Sequence, residues 1–445
     1  MGGTTDKFVP ELSNRPWDFF TLRQNGGKLM DIIEDLKWRG ALNQCTDLDG
    51  LTKLLSEKKV ALYCGTDPTG DSLHIGHLIP FMLLKRFQLA GHHPYIIIGG
   101  GTGFIGDPSG RKTERQLLST EQLDHNKKAL TKQMTRLFGT KDFHIVDNYE
   151  WLSKIDLLTF LRDYGKLFSI NTMLSREAVA SRLKNGISFT EFSYQILQSI
   201  DFLHLYDEDD VQLQVGGADQ WGNLVDGVNL IHDKHPEAKA FGLTIPLMVK
   251  ADGTKFGKTA GGAIWLDPEK TTPFEFYQFW LNQDDRDVVK YLKYFTFLSH
   301  EEIDDLAEKV KTQPWKREAQ RRLAEEVTKF VHGEDEMKKA ERISQILFKG
   351  NIQDLATDEV ELAFHGTPQI SISSEPVDLV RLLTDNGVEP SRRQAREDIK
   401  NGAIHVNGEK ITDIEATVDP ADHFDGKFVV IRKGKKHFTL AKVNK

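Results

Sequence analysis

The sequence predicts an α/β protein: a parallel-sheet domain, then a helical domain, then a small α+β domain. Three observations carry that expectation. Short apolar strand patterns at 58–64, 94–98 and 211–215 alternate with longer helix-periodic stretches, as strands joined by helical crossovers do. From Thr271 to about Phe348 the periodicity is helical and the composition charged. The last seventy or so residues change again, to a basic helix followed by a hairpin pattern at Asn407-Gly408.

A chain of 445 residues has room for two to four domains and for a sizeable core. Its apolar runs, Tyr95-Ile96-Ile97-Ile98 among them, are far shorter than a membrane span. The N-terminus carries no secretory pattern. Cys45 and Cys64 are the two cysteines, which excludes a disulfide framework and a cysteine-based zinc site and fits a reducing cytoplasm. The formal net charge is −8. A field of that sign does not favour nucleic acid, so any RNA contact must come from a local basic patch.

Residues 1–29 are polar and poorly periodic and read as an extension; a genuine extension and initiation at Met30 both fit. In the strand 58–64, Val60, Leu62 and Cys64 share one face, with Ala61 and Tyr63 on the other. Asp67-Pro68-Thr69-Gly70 is turn chemistry. Asp71 or Ser72 is then placed to cap a helix, with His74 and His77 on one side of its first turn. A strand end, a turn and a helix N-terminus together suit a phosphate. Gly76 has no side chain, so a flat ring can approach the backbone there. The helix is expected to end at Gly91. Pro80, near its second turn, is expected to remove a hydrogen bond and bend it.

The buried strand at 94–98 leads into a glycine-rich stretch containing Gly101-x-Gly103-x-x-Gly106. A dinucleotide turn needs a helix opening on the third glycine, whereas Asp107-Pro108-Ser109-Gly110 is a turn. Helices are expected at 122–137, 151–163 and 175–183. In the helical stretch 190–203, Tyr194, Gln198 and Asp201 fall at i, i+4 and i+7 on one face. A polar stripe in so apolar a helix is expected to line a pocket. The strand 211–215 brings Gln214 near its carboxyl end, with Gly217, Asp219 and Gln220 just beyond, where open α/β sheets bind ligands. Lys255-Phe256-Gly257-Lys258-Thr259 follows the Ala251-Asp252-Gly253 turn; two lysines beside a glycine suit a flexible basic arm, and by themselves read equally as a solvated surface turn. Residues 315–330 are strongly amphipathic, and 351–375 lose periodicity and read as a linker. Beyond it, Ser391 can cap a helix in which Arg392, Arg396 and Lys400 recur every four residues, with Arg393 beside them. Arg432, Lys433, Lys435 and Lys436 form a second cluster. Two such clusters in one small module favour contact with an RNA backbone, which meets the objection from net charge.

Tyr63-Cys64-Gly65-Thr66-Asp67-Pro68-Thr69, His74-Ile75-Gly76-His77, Gly106-Asp107-Pro108-Ser109-Gly110 and Lys255-Phe256-Gly257-Lys258-Thr259, in that order, closely resemble bacterial tyrosyl-tRNA synthetases, a branch of the class I aminoacyl-tRNA synthetases. The resemblance covers nearly the whole chain from about residue 30. It implies a Rossmann-like parallel-sheet catalytic domain at 30–270 with a helical connective insertion at about 117–185. It further implies a helical anticodon-side domain at 271–350, a linker at 351–375 and an α+β RNA-binding domain at 376–445.

The implied activity joins tyrosine to ATP, releasing pyrophosphate, and then transfers tyrosine to the 3′ end of tRNA(Tyr). Implied catalytic residues are Thr69, His74, His77, Lys255, Lys258, Thr259, Arg111 and Arg115. Tyr63 and Asp201 would bind the tyrosine phenol, Asp107, Tyr194 and Gln198 its ammonium group, with Gln220 nearby. Gly65, Asp67, Gly76, Gln214, Gly217 and Asp219 would join His74, His77 and Lys258 around ATP. Arg392, Arg393, Arg396 and Lys400 would meet tRNA. Mg²⁺ is expected to arrive with ATP, held by phosphates and water, with no protein-ligated metal. The other implied properties are a homodimer, a cytoplasmic location and no membrane partner. A tryptophanyl-tRNA synthetase would share the fold and both signatures, but Tyr63 with Asp201 and the terminal module argue against it. A catalytically silent RNA-binding relative need not keep His74, His77, Lys255 and Lys258, and a dinucleotide oxidoreductase is the remote third reading.

Overall fold

Six strands form the sheet at the centre of the computed structural model, which describes residues 31–110, 113, 117–254, 256–259, 262–434 and 437–444. They are β1 Gln44–Cys45, β2 Ala61–Thr66, β3 His93–Ile98, β4 His144–Asp147, β5 Val211–Gly217 and β6 Phe241–Ile245, in the order β1-β6-β5-β2-β3-β4. β2 to β6 pair in parallel and β1 is antiparallel on the edge. Successive residues Leu62, Tyr63 and Cys64 are all buried, as is β5 from Val211 to Gly216. Helices therefore cover both faces, as a parallel sheet requires. From β2 the chain moves to β3 and β4 on one side, while β5 and β6 lie on the other. The reversal opens a crevice beyond the carboxyl ends of β2 and β5.

Several local expectations change. β4 lies inside the stretch expected to be wholly helical; at four residues, on an edge and half-buried, it is too short to print a period. The helix at 122–137 is Thr120–Phe138, capped by Ser119. That at 151–163 breaks into Tyr149–Leu152, Leu157–Thr159 and a wide turn Phe160–Tyr164, because Asp156 accepts from the Leu158 and Thr159 amides and starts a new turn. The one at 175–183 becomes Ile170–Ser175 and Glu177–Ala180.

The helix after β2 spans Leu78–Leu89 and starts at His77, not at Asp71 or Ser72. The Ser72 hydroxyl is buried and donates to the Leu73 carbonyl at 2.9 Å, while Gln133 donates to it at 3.1 Å and accepts from the Leu73 amide at 3.0 Å. The two histidines thus lie in the turn ahead of the helix. Pro80 becomes its third residue, where the amide has no intrahelical acceptor, so the expected lost hydrogen bond does not arise.

The residues divide into two units: one runs to Ala263 and includes Asp285–Ala319, the other joins Ile264–Asp284 to Gln320–Lys445. Helices Asp285–Phe295 and His300–Thr312, expected in the helical domain, therefore belong with the sheet. A buried ionic cluster holds them. Arg86 Nη2 donates to the Lys293 and Thr296 carbonyls at 3.0 and 2.6 Å, and Arg39 Nη2 to the Leu298 carbonyl at 2.7 Å. Asp35 lies between the two arginines, 2.8 Å from Arg39 and 3.8 Å from Arg86, with His300 at 2.9 Å. Burial opposes the Asp35 charge, yet Arg86, Arg39 and His300 together hold its carboxyl below the ordinary range.

In chain order the remaining strands are β7 Lys258–Thr259, β8 Gly262–Ala263, β9 Gln369–Ser373, β10 Val377–Asp378, β11 Ile404–Val406, β12 Glu409–Lys410, β13 Thr417–Val418, β14 Phe428–Lys433 and β15 His437–Asn444. The second unit carries helices Pro273–Leu281 and Glu334–Lys349 and a sheet in the order β12-β11-β14-β15-β9. β9 falls in the expected linker, together with helix Thr357–Ala363. The alternation Ile370-Ser371-Ile372 puts both isoleucines on the C-terminal core, while β9 pairs in parallel with distant β15. The hairpin at Asn407-Gly408 forms with φ of 47° and 89°, the left-handed pair its tight turn needs. Among the described residues no helix is long and apolar enough to cross a membrane.

Candidate active site

The crevice between β2 and β5 holds a cavity of about 320 Å³. The carboxyl end of β2 and its following turn supply Tyr63, Gly65, Asp67 and Thr69, with Gly76 and His77 beyond. β5 and the turn after it supply Gln214, Gly217, Asp219 and Gln220. Helix Phe189–Asp209, capped by Ser188, lays Tyr194, Gln198 and Asp201 along the same wall, and Asp107 faces them. All the residues expected around a small amino acid therefore converge on one cavity.

At its buried end stand Tyr63 and Asp201, 1 % and 3 % exposed. Asp201 accepts from Asn148 Nδ2 at 2.9 Å and from Trp151 Nε1 at 2.8 Å, one donor on each oxygen. Burial pushes its carboxyl up to about 8, with those two hydrogen bonds pulling the other way. The Tyr63 hydroxyl is buried with no hydrogen-bond partner among the described residues; burial, and then the charge of Asp201, hold its phenol well above the ordinary range. An orphaned buried hydroxyl costs free energy, and a polar ligand atom here would relieve it.

A hydrogen-bonded chain continues from this end. Asn148, fully buried, also donates to Thr102 Oγ1 at 2.9 Å and accepts from the Gly101 amide at 2.7 Å. Thr102 donates to Asp67 at 2.7 Å, and the Tyr194 hydroxyl donates to the other Asp67 oxygen at 3.1 Å. A Cβ on Gly99 would come within 2.3 Å of both Asp67 and Thr102, so glycine is required beside this pair. Opposite, Gln220 donates to Asp107 at 2.8 Å, and Asn223 donates to Gln198 and Gln220 at 2.9 and 3.2 Å. Sequence reasoning missed Thr102, Asn148, Trp151 and Asn223. Asn148 directly follows β4; had that strand been found, the carboxyl-end rule that selected Gln214 would have selected it too.

His74 and His77 stack with centroids 3.9 Å apart. His74 Nδ1 accepts from the Gly76 amide at 3.0 Å and His77 Nδ1 from the His74 amide at 3.1 Å. His77 lines the cavity, and His74 is not among its lining residues. Arg111, Arg115 and Lys255 lie outside the described residues. Lys258 and Thr259 form β7, paired with β8, their side chains outside the description. Gly103 sits inside a short turn, Thr102–Phe104, with Gly101 before it and Gly106 after it, and no helix opens on Gly106 over the described residues 106–110, so no dinucleotide turn forms.

In the second unit Arg392, Arg393, Arg396 and Lys400 are exposed on helix Arg392–Lys400, whose Ala395 and Ile399 are buried beneath. The second basic cluster is weaker than expected. Lys433 pairs with Glu389 at 2.8 Å and Asp398 at 3.3 Å, which spends its charge internally, and Lys435 and Lys436 lie outside the described residues.

Residues 55–349 match the family model of class I tRNA synthetases for tryptophan and tyrosine, and 359–441 match the SYY-like C-terminal domain of tyrosine–tRNA ligases. The first of these leaves the amino acid open. The tyrosine–tRNA ligase of Limosilactobacillus reuteri is 70 % identical over 415 residues, 93 % of this chain and 100 % of the relative. The chain belongs to the tyrosine–tRNA ligase family. Within that family, the Limosilactobacillus fermentum protein is 71 % identical over 93 % of this chain and 100 % of its own. Among solved structures, a C-terminally truncated mitochondrial tyrosyl-tRNA synthetase of Aspergillus nidulans superposes with a TM-score of 0.65 at 32 % identity, covering 73 % of this chain and 95 % of that one.

Proposed function

We propose that this cleft activates L-tyrosine with ATP and that the chain then transfers tyrosine to tRNA(Tyr). The observation that carries the reading is the orphaned, buried Tyr63 hydroxyl beside Asp201. A phenol entering that end gives Tyr63 a partner and meets the Asp201 oxygens. Phenylalanine would leave the Tyr63 hydroxyl unmet in a buried site and give the Asp201 oxygens no ligand donor.

Asp107, Tyr194 and Gln198 hold the substrate ammonium group, which sets its carboxylate toward the mouth of the crevice. That carboxylate attacks the α-phosphorus of ATP and pyrophosphate leaves. No protein nucleophile takes part; positioning and charge stabilisation do the work. Thr69 and His74 meet the γ-phosphate, and Lys255, Lys258, Arg111 and Arg115 neutralise the departing pyrophosphate. Gly65, Asp67, Gly76, His77, Gln214, Gly217 and Asp219 surround the nucleoside. Mg²⁺ comes with ATP, its ligands phosphate and water. A terminal ribose hydroxyl of tRNA then attacks the carbonyl carbon of the adenylate, breaking the mixed anhydride and releasing AMP.

The exposed basic face of helix Arg392–Lys400 supports RNA contact through the C-terminal module. A homodimer is supported by Leu157 and Leu158 in the connective region and Phe189 just after it, which are 70–75 % exposed; a sedimentation mass of one chain would overturn it.

ATP–pyrophosphate exchange with tyrosine, phenylalanine and tryptophan in parallel tests the reaction. Exchange with tyrosine alone is expected. Exchange with tryptophan would overturn the specificity, and none at all would leave an RNA-binding relative. In the same preparation, Arg396→Ala should weaken tRNA binding and lower its salt slope by about one, with exchange unchanged. Unaltered tRNA charging in that variant would remove the helix from the RNA contact.

A further inference from the structure

Helix Asp285–Phe295 grips the segment leading into the second signature along one face. In its first turn Asp287, 6 % exposed, accepts the Ala251 amide on both carboxylate oxygens at 2.9 and 3.1 Å. One turn on, Lys290 Nζ donates to the Val249 carbonyl at 3.2 Å. Tyr291 and Phe295 then hold the buried Phe256 ring, at centroid distances of 5.0 and 5.2 Å. Positions 287, 290, 291 and 295 make one helical stripe.

The gripped turn closes on itself. Gly253 donates to the Lys250 carbonyl and Lys250 to the Thr254 carbonyl, both at 2.9 Å, and Asp252 accepts from the Thr254 amide at 2.9 Å. It is therefore a stiff unit whose placement depends on the Ala251 anchor. Just beyond, Gly257, with φ of 92°, lies against the first signature: a Cβ built there would be 3.5 Å from the Gly76 amide nitrogen and 3.6 Å from Ile75. The far end of the same helix is tied through Arg86 to helix Leu78–Leu89, which begins at His77. One helix thus spans both signatures.

We propose that Asp287 is a positioning residue for tyrosyl-adenylate formation: by holding the Ala251 amide it sets where Gly257 meets Gly76, and so the register of the second signature on the first. Asp287 touches no substrate and acts through the backbone of the turn. The proposal rests on the synthetase reading of the cleft. A displacement of about an ångström in a positioning element can cost roughly a hundredfold in rate, and a hydrogen bond to a charged acceptor is strong enough to prevent it.

Steady-state ATP–pyrophosphate exchange on the full chain, with Asp287→Ala and Asp287→Asn beside the wild type, tests it. Asp287→Ala is expected to lose about tenfold or more in exchange kcat and to raise the KM for ATP. The KM for tyrosine and the transfer of tyrosine from preformed adenylate to tRNA should stay unchanged. Asp287→Asn, which keeps one acceptor oxygen, should recover most of the loss and also serves if the alanine variant folds poorly. Exchange at the wild-type level in both variants overturns the proposal. So does a parallel fall in tyrosine affinity, transfer and exchange, which would mark general loosening. A wild type that does not exchange at all overturns the synthetase reading, and Asp287's role falls with it; the two failures are told apart by the wild-type control.

Discussion

Asp201→Ala should lower kcat/KM for tyrosine in ATP–pyrophosphate exchange by roughly a hundredfold to a thousandfold, while the KM for ATP changes little. The substitution removes the substrate's acceptor and also takes the acceptor from Trp151 Nε1 and from one N–H of Asn148 Nδ2, whose other N–H keeps Thr102. Together these losses amount to about 3–4 kcal/mol, which corresponds to that range of rates. Exchange with undiminished tyrosine dependence would remove Asp201 from the recognition end.

The companion variant Asp201→Asn separates recognition from stability. Burial raises the folded carboxyl to about 8 from its ordinary 3.8. For a group raised on folding, the contribution to stability is fully present below the unfolded value and is lost as pH rises through the folded one. Between pH 4 and 8 the unfolded chain releases the proton that the folded chain keeps, so the wild type loses stability relative to Asp201→Asn. The limiting slope is about 1.4 kcal/mol per pH unit, that of one proton. Urea unfolding of both proteins from pH 5 to 9 measures it; parallel profiles would show that this carboxyl does not titrate in that window.

Arg86→Met should destabilise the sheet unit by about 3–5 kcal/mol, the range for breaking a buried ionic cluster from one side. Arg86 is 1 % exposed and donates to the carbonyls of Lys293, Tyr294 and Thr296. Methionine fills much of the volume but leaves those acceptors unmet and Asp35 short of one positive neighbour. In an Asp35→Asn background the same change should cost less, because the stranded charge is already gone, and the double-mutant cycle isolates that coupling. An unfolding free energy from urea titration within about 1 kcal/mol of wild type would show that the cluster is decorative. Because the carbonyls Arg86 holds end the helix that carries Asp287, a loosened cluster should also be felt in exchange.

Local signals in the sequence determined a good deal. The apolar strands and turn residues around β2, β3 and β5 announced a parallel α/β sheet with its crevice at their carboxyl ends, and the spacing of Tyr194, Gln198 and Asp201 placed all three on one wall before any contact was known. The basic stripe at Arg392, Arg396 and Lys400 was equally legible, because helical period and exposure follow from the residues themselves. The tertiary structure alone decided the rest. β4 is four half-exposed residues and becomes a strand only by pairing with β3, so Asn148 and Trp151, which orient Asp201, had no signal of their own. The stretch at 351–375 looked like a linker because its serines and threonines mask an alternation that matters only once β15 lies beside it. Ser72 had the chemistry of a cap, yet Gln133, sixty-one positions away, claimed its hydroxyl. Helix Asp285–Phe295 reads as one more amphipathic helix until buried Arg86 and Asp35 draw it onto the sheet. Periodicity and turn chemistry act over a few neighbouring residues, whereas pairing, buried charge and orphaned polar groups are settled by partners that the chain brings together only when it folds.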